Sequence, residues 1–144
     1  AYCHVAHDCI LGDEIIMANA ATLAGHVIIE DQAIIGGLSG VHQFVTIGRQ
    51  AIVGGCSKVV KDLPPFLMAD GHPLHVRGLN RVGLQRRGVA DSSINALKEC
   101  FKWVYKRDLN LKDALSKIDE KVDSCPETEA FIAFLKKSER GITR

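Results

Sequence analysis

Long apolar runs are absent from this sequence, which excludes a transmembrane helix, and its first residues lack the pattern of a signal peptide. An excess of charge of one sign is missing too. The 18 Lys and Arg stand against 17 Asp and Glu, a net +1, so no global charge draws the chain to nucleic acid or a membrane surface. No C-x-x-C pair occurs, and the five cysteines are odd in number. That argues against a secreted disulfide scaffold and fits reduced thiols in a cytoplasmic protein. An initiator methionine is lacking as well: the chain opens on "AYCHVAHDC".

What is present is apolar and periodic. Nearly half of the 144 residues are apolar, enough for one core, or for a repeat domain with a small appendage. Stepping by six from Val5 gives Leu11, Met17, Leu23, Ile29, Ile35, Val41, Ile47, Val53 and Val59, all aliphatic. The series offset by four (Cys9, Ile15, Ala21, Val27, Ala33, Ser39, Val45, Ala51, Ser57) is mostly small or β-branched. The residue after each aliphatic is often Gly or Ala, which suits a bend. Neither a 3.6-residue nor a two-residue period produces this pattern. A hexapeptide repeat does, with three hexads closing one triangular coil. Residues 1–65 are therefore expected to form a parallel β-helix. The repeat is already running at residue 5 with no cap before it, so a longer protein is expected.

The repeat is expected to stop at "KDLPPF", where Pro64 and Pro65 cannot donate ladder hydrogen bonds. Residues 66–90 read as a basic connector. From Val41 to Ala90 seven Lys and Arg face two Asp, a local excess of five that suits either a solvated face or an anion site. Residues 91–144 read as an α-helical appendage of about three helices. Asp91 is expected to cap the first, the second starts near Leu111, and the third starts at Pro126 and stops at Gly141. Trp103 and the phenylalanines read as packing residues.

An eighteen-residue coil places residues eighteen apart above one another, one strand spacing apart. His7, Gly25 and Gln43 then form a column, as do Asn19, Gly37 and Gly55, and Asp13, Asp31 and Arg49. An imidazole beside a glycine N–H suits acyl transfer: a general base next to a donor for a developing oxyanion. His26 and His42 flank that column. The spacing leaves other readings open. His7 can be a satisfied polar rung, or His4 and His7 can hold zinc with a third histidine from another subunit.

The segments "HVAHDC", "NAATLAGHV", "AIIGGLSGVHQF", "VGGCSKVVKDLPPF" and "GLQRRG" resemble the UDP-N-acetylglucosamine O-acyltransferases of lipid A synthesis over essentially the whole chain. The resemblance implies a left-handed parallel β-helix followed by a small helical C-terminal domain. It also implies a cytoplasmic homotrimer with active sites between neighbouring prisms. A 3-hydroxyacyl chain, carried on the phosphopantetheine of acyl carrier protein, passes to the 3-hydroxyl of UDP-N-acetylglucosamine. No metal or dissociable cofactor is implied, and no nucleic acid partner. By motif match, His7 is the general base, Asp8 its electrostatic partner and Gly25 the oxyanion donor. Alternating side-chain directions leave a direct His7–Asp8 bond open. His4, His26, His42 and Gln43 line the substrate cleft, and Asn80, Arg86 and Arg87 take the nucleotide and phosphates. Gly55 falls where acyl length is gated, and a glycine there leaves room for a longer chain. The connector can also meet the acidic surface of the carrier protein.

Two departures from the family pattern stand out. Val82 occupies a position where many members carry a glutamate, and an acidic and a basic residue from N-terminal coils are absent. The competing readings are the N-acyltransferase of the same pathway, a zinc hydrolyase of the carbonic-anhydrase type and a non-enzymatic trimeric scaffold. "VHQF" and "GLQRRG" argue against the first.

Overall fold

The computed structural model describes residues 1–144. The chain winds through three full coils of two-residue strands. The first coil holds β1 (His4–Val5), β2 (Ile10–Leu11) and β3 (Ile16–Met17). The second holds β4 (Thr22–Leu23), β5 (Ile28–Ile29) and β6 (Ile34–Ile35). The third holds β7 (Gly40–Val41), β8 (Thr46–Ile47) and β9 (Ile52–Val53), and β10 (Lys58–Val59) begins the next. From β1 to β7 each strand pairs in parallel with the one eighteen residues further on, as in His4 with Thr22 and Ile10 with Ile28. Three flat faces result, starting from β1, β2 and β3 respectively. We call the corner between the first and second faces the first corner (residues 6–9, 24–27 and 42–45). The second corner joins the second and third faces, and the third corner closes the triangle.

Both six-residue series point inward. Leu23, Ile35, Ile47 and Val59 are fully buried, as are Ala21, Val27, Ala33 and Val45. Burying each large aliphatic contributes about 1.5–3 kcal/mol. Val5 and Leu11, in the first coil, are 45% and 41% exposed, because no coil of this chain lies beneath them.

The bends differ from expectation. They are made by every sixth residue from Tyr2 to Cys56, all non-glycine and all with φ between 54° and 65°. The small residue after each aliphatic has another duty. A Cβ on Gly36 or Gly48 would collide with the backbone of the coil above, at Gly55 and Pro65. Small side chains are thus selected by close approach between coils, and the left-handed conformation falls three residues after the aliphatic.

Winding also persists through the prolines. Leu63 bridges Ile47 in parallel, and β11 (Leu67–Asp70) pairs in parallel with β9, Met68 opposite Ile52. The separation there is sixteen residues, so the coil tightens by two instead of stopping. The prolines sit where the missing N–H is not needed. β11 then turns back into β12 (His75–Leu79), antiparallel and bulged, and a short helix α1 (Arg81–Arg86) follows.

The helical layer comprises α2 (Asp91–Phe101), α3 (Leu111–Lys121) and α4 (Pro126–Lys137). Asp91 is the first-turn acid of α2, and Ala90 is the residue at the cap, where no side chain bonds. A π-helical turn, Lys102–Lys106, extends α2 and keeps Val104 buried. α4 ends at Lys137, ahead of Gly141. The segment after it returns to the prism. Ser138 Oγ donates to Asp62 Oδ2 at 2.6 Å, Thr143 N–H donates to the Asp62 carbonyl at 2.7 Å, and Ile142 bridges Asp62. One continuous core of 28 buried residues runs from Ala21 to Ile142, through prism and helices alike. No helix is long and apolar enough to cross a membrane.

Candidate active site

The first corner gathers most of the chemically active residues. His7, Gly25 and Gln43 stack there as one column, and Asp8, His26 and Phe44 stack beside it as a second. The coils are clamped at this corner by His26 N–H to the His7 carbonyl at 3.0 Å and Phe44 N–H to the Gly25 carbonyl at 3.1 Å. His7 lies against Gly25: a Cβ on Gly25 would stand 2.7 Å from His7 Cε1 and 2.8 Å from Nε2. The absent side chain is therefore what admits the imidazole. The Gly25 N–H donates to no acceptor within the chain.

Asp8, His26 and Phe44 all hold the left-handed backbone, with φ of 61°, 60° and 65°. This turns successive side chains outward one above another at rung spacing. The Phe44 and His26 rings stack at 4.7 Å and 11°, close to the strand separation itself. His26 meets His7 edge-on, with centroids 5.2 Å apart and planes at 89°. The direct bond between neighbours in sequence does form: His7 Nδ1 lies 3.0 Å from Asp8 Oδ2. Strand alternation does not apply, because Asp8 is a bend residue. His26 Nε2 is 3.9 Å from the same oxygen. The hydrogen bond from His7, and next the charge of His26, hold the Asp8 carboxyl below the usual carboxylate range.

This geometry assigns a tautomer. With the Asp8 carboxylate accepting from Nδ1–H, the lone pair of His7 sits on Nε2 and faces Gly25. His7 and Asp8 are open to solvent, with side chains 72% and 67% exposed.

His42 and Gln43 complete the corner and are exposed, while His4 sits on β1 opposite Thr22. His4 is not in the group of metal-capable side chains that converges within one chain, so the alternative reading of His4 with His7 as zinc ligands gains no support from it. The donor atoms that converge are those of His7, Asp8 and His26. Gly55 lies at the third corner, where a Cβ would come within 3.3 Å of the Gly37 carbonyl.

The basic cluster is elsewhere. Asn80 Nδ2 donates to the Gln50 carbonyl at 2.9 Å, and Asn80 Oδ1 accepts from Gly83 N–H at 3.1 Å, capping α1. Asn80 is 5% exposed, so both ends of its amide are used inside the chain. Arg86 is exposed on the last turn of α1, and Arg87 Nη1 donates to Glu14 Oε2 at 2.8 Å. Gln50 and Glu14 belong to the second corner. Within one chain, the second face thus separates the imidazole cluster from the arginines. A cleft of about 1130 Å³ lies between that face and α4, lined by Ile10, Ile28, His26 and Phe44 with Phe134 and Lys137 opposite.

Sequence reasoning missed Phe44 and Glu14. The eighteen-residue rule that found His7 under Gly25 finds Phe44 over His26 once it is applied one residue further on. Nothing local marks Glu14, whose partner is 73 residues away.

Residues 62–143 match the family model described as UDP N-acetylglucosamine O-acyltransferase, domain 2. The chain belongs to this acyltransferase family. A relative from Thermodesulfovibrio yellowstonii, named acyl-(acyl-carrier-protein)–UDP-N-acetylglucosamine O-acyltransferase, is 54% identical over all 144 residues, which make up 56% of its own length. The solved UDP-N-acetylglucosamine acyltransferase of Bacteroides fragilis superposes with a TM-score of 0.97 at 37% identity, covering 99% of this chain and 56% of that one. The LpxA structure of Acinetobacter baumannii gives 0.95 at 43%, with 99% and 55% covered. The chain thus spans about half the length of the relatives it matches. Its fold is the left-handed parallel β-helix with C-terminal helices of these acyltransferases.

Proposed function

We propose that this chain carries the catalytic corner of an O-acyltransferase that moves a 3-hydroxyacyl group from acyl carrier protein to the 3-hydroxyl of UDP-N-acetylglucosamine, the opening step of lipid A synthesis. The observation that carries the reading is the His7 ring, held by Asp8 on one side and packed against Gly25, whose N–H is free, on the other. His7 Nε2 takes the proton of the sugar hydroxyl as the oxygen attacks the thioester carbonyl. The carbonyl oxygen becomes an oxyanion and accepts from Gly25 N–H. Collapse expels the pantetheine thiolate, which takes the proton back from His7. No serine or cysteine nucleophile and no cofactor enters this sequence of steps. Asp8 steadies the imidazolium that forms between them.

His4, His26, His42 and Gln43 line the acceptor side of the cleft. Arg86 and Arg87 take the diphosphate, with Asn80 acting through the helix it caps. Because those arginines lie at the second corner and His7 at the first, a homotrimer completes the site by apposing the two corners of neighbouring chains. Gly55 leaves room for a long acyl chain, and the protein works in the cytoplasm.

The test is His7→Ala in the intact protein, assayed with UDP-N-acetylglucosamine and 3-hydroxyacyl carrier proteins of graded length. Turnover is expected to fall by about 10²–10⁴-fold with assembly unchanged. Near-normal turnover removes the base assignment, and a lack of any acyl transfer by the unaltered protein removes the reading.

A further inference from the structure

The first corner holds an arrangement that acyl transfer does not explain, although it is built from residues that the transfer uses. Two imidazoles and a carboxylate converge there, and their donor atoms all lie within 4.8 Å of one another. Two of the separations are His7 Nδ1 to Asp8 Oδ2 at 3.0 Å and His26 Nε2 to Asp8 Oδ2 at 3.9 Å. Tetrahedral zinc with bonds of about 2.0–2.1 Å needs donors roughly 3.3 Å apart, a value these two separations bracket. Two nitrogens and one carboxylate oxygen with an open fourth position are a common zinc set. The third separation is within 4.8 Å, and the His7 side chain, mostly in solvent, is free to adjust.

We propose that His7, Asp8 and His26 form a reversible binding site for a transition-metal ion such as zinc, and that its occupation switches the catalytic base off. Phe44 is the outer support. Its stacking on His26 holds the ring plane with Nε2 toward Asp8. The inhibitory half of the proposal rests on the acyltransferase reading; the binding half does not. Coordination through His7 Nδ1 displaces the proton shared with Asp8. In the neutral ring that proton resides on Nε2, the atom that must be bare to accept one from a hydroxyl. The metal also takes Asp8 away from its task of steadying an imidazolium. Metal and catalysis thus compete for one tautomer.

The experiment uses the intact protein stripped with EDTA, titrated with zinc by calorimetry and with cobalt by visible absorption. We expect one ion per chain and a cobalt spectrum without a thiolate charge-transfer band. Asp8→Asn and His26→Ala should each weaken binding at least tenfold, and Phe44→Ala should weaken it several-fold. Acyl transfer should fall at least tenfold at saturating zinc and return with EDTA. Unchanged affinity in both Asp8→Asn and His26→Ala overturns the site, as does a thiolate band, which would place the ion on cysteine. Full activity with the site saturated overturns the switch. Calorimetry and the cobalt spectrum need no turnover. A protein that binds the ion but transfers no acyl group therefore refutes the enzymatic reading and leaves the site standing.

Discussion

Asp8 is the residue on which the first corner turns, because one oxygen serves both imidazoles. Its carboxyl is held low, so the folded state binds the proton more weakly than the unfolded chain does. The stabilisation this brings is present above the ordinary carboxylate pKa and is lost as pH falls through the folded value. Carboxyl-carbon NMR should show Asp8 titrating below the ordinary aspartate range. In His7→Ala the midpoint should rise back toward that range, because the hydrogen bond is the leading cause. An unmoved midpoint would detach Asp8 from His7. Stacking arithmetic alone brought His7 to Gly25 correctly. It left Asp8 open, because the repeat shows which residues are small and hides which ones take the left-handed backbone that swings a side chain outward.

At the scale of elements, the short strands were legible because each contributes one large inward aliphatic per hexad. The β11–β12 hairpin and α1 were not legible. Pro64 and Pro65 mimic a stop, and the two-residue tightening of the coil has no sequence mark. α1 matters because Asn80 both caps it and ties it to the third coil. Asn80→Ala should lower stability by about 1–3 kcal/mol, from the lost cap and the unpaired Gln50 carbonyl. Thermal unfolding without substrate is the measurement. An unchanged melting temperature would mean that Asn80 serves a ligand and not the helix. The helical tail was read nearly to its true starts, since Pro126 and the apolar spacing are local signals. The π-helical extension of α2 was missed, because a one-residue widening does not interrupt the apolar face.

At the scale of the molecule, the imidazole corner and the arginine corner of one chain cannot meet across the second face. If neighbouring chains supply the two halves, His7→Ala and an Arg86→Ala/Arg87→Ala double variant should complement each other. Each protein alone should be nearly inactive. Co-expressed chains mixing at random should recover roughly a quarter of the sites, because both wild-type corners must meet at one interface. Recovery no greater than the sum of the separate variants would place the whole site within one chain. A between-chain site was expected only through the family resemblance, since a period reports which residues share a corner but not which corner faces another subunit.

The return of the C-terminal segment to Asp62 has a further consequence for how these molecules behave in company. A parallel coil that ends in open air offers a row of bare amides and carbonyls to the next molecule, and only a guard stops chains from adding head to tail. Residues 138–144 provide part of that guard at Asp62, with Ser138, Ile142 and Thr143 occupying its carboxylate and backbone. Cutting the chain after Lys137 should leave the catalytic corner intact yet make the protein self-associate as concentration rises. Light scattering would reveal the growth, and a truncated protein that stays monodisperse would show that the bulged hairpin suffices as the stopper.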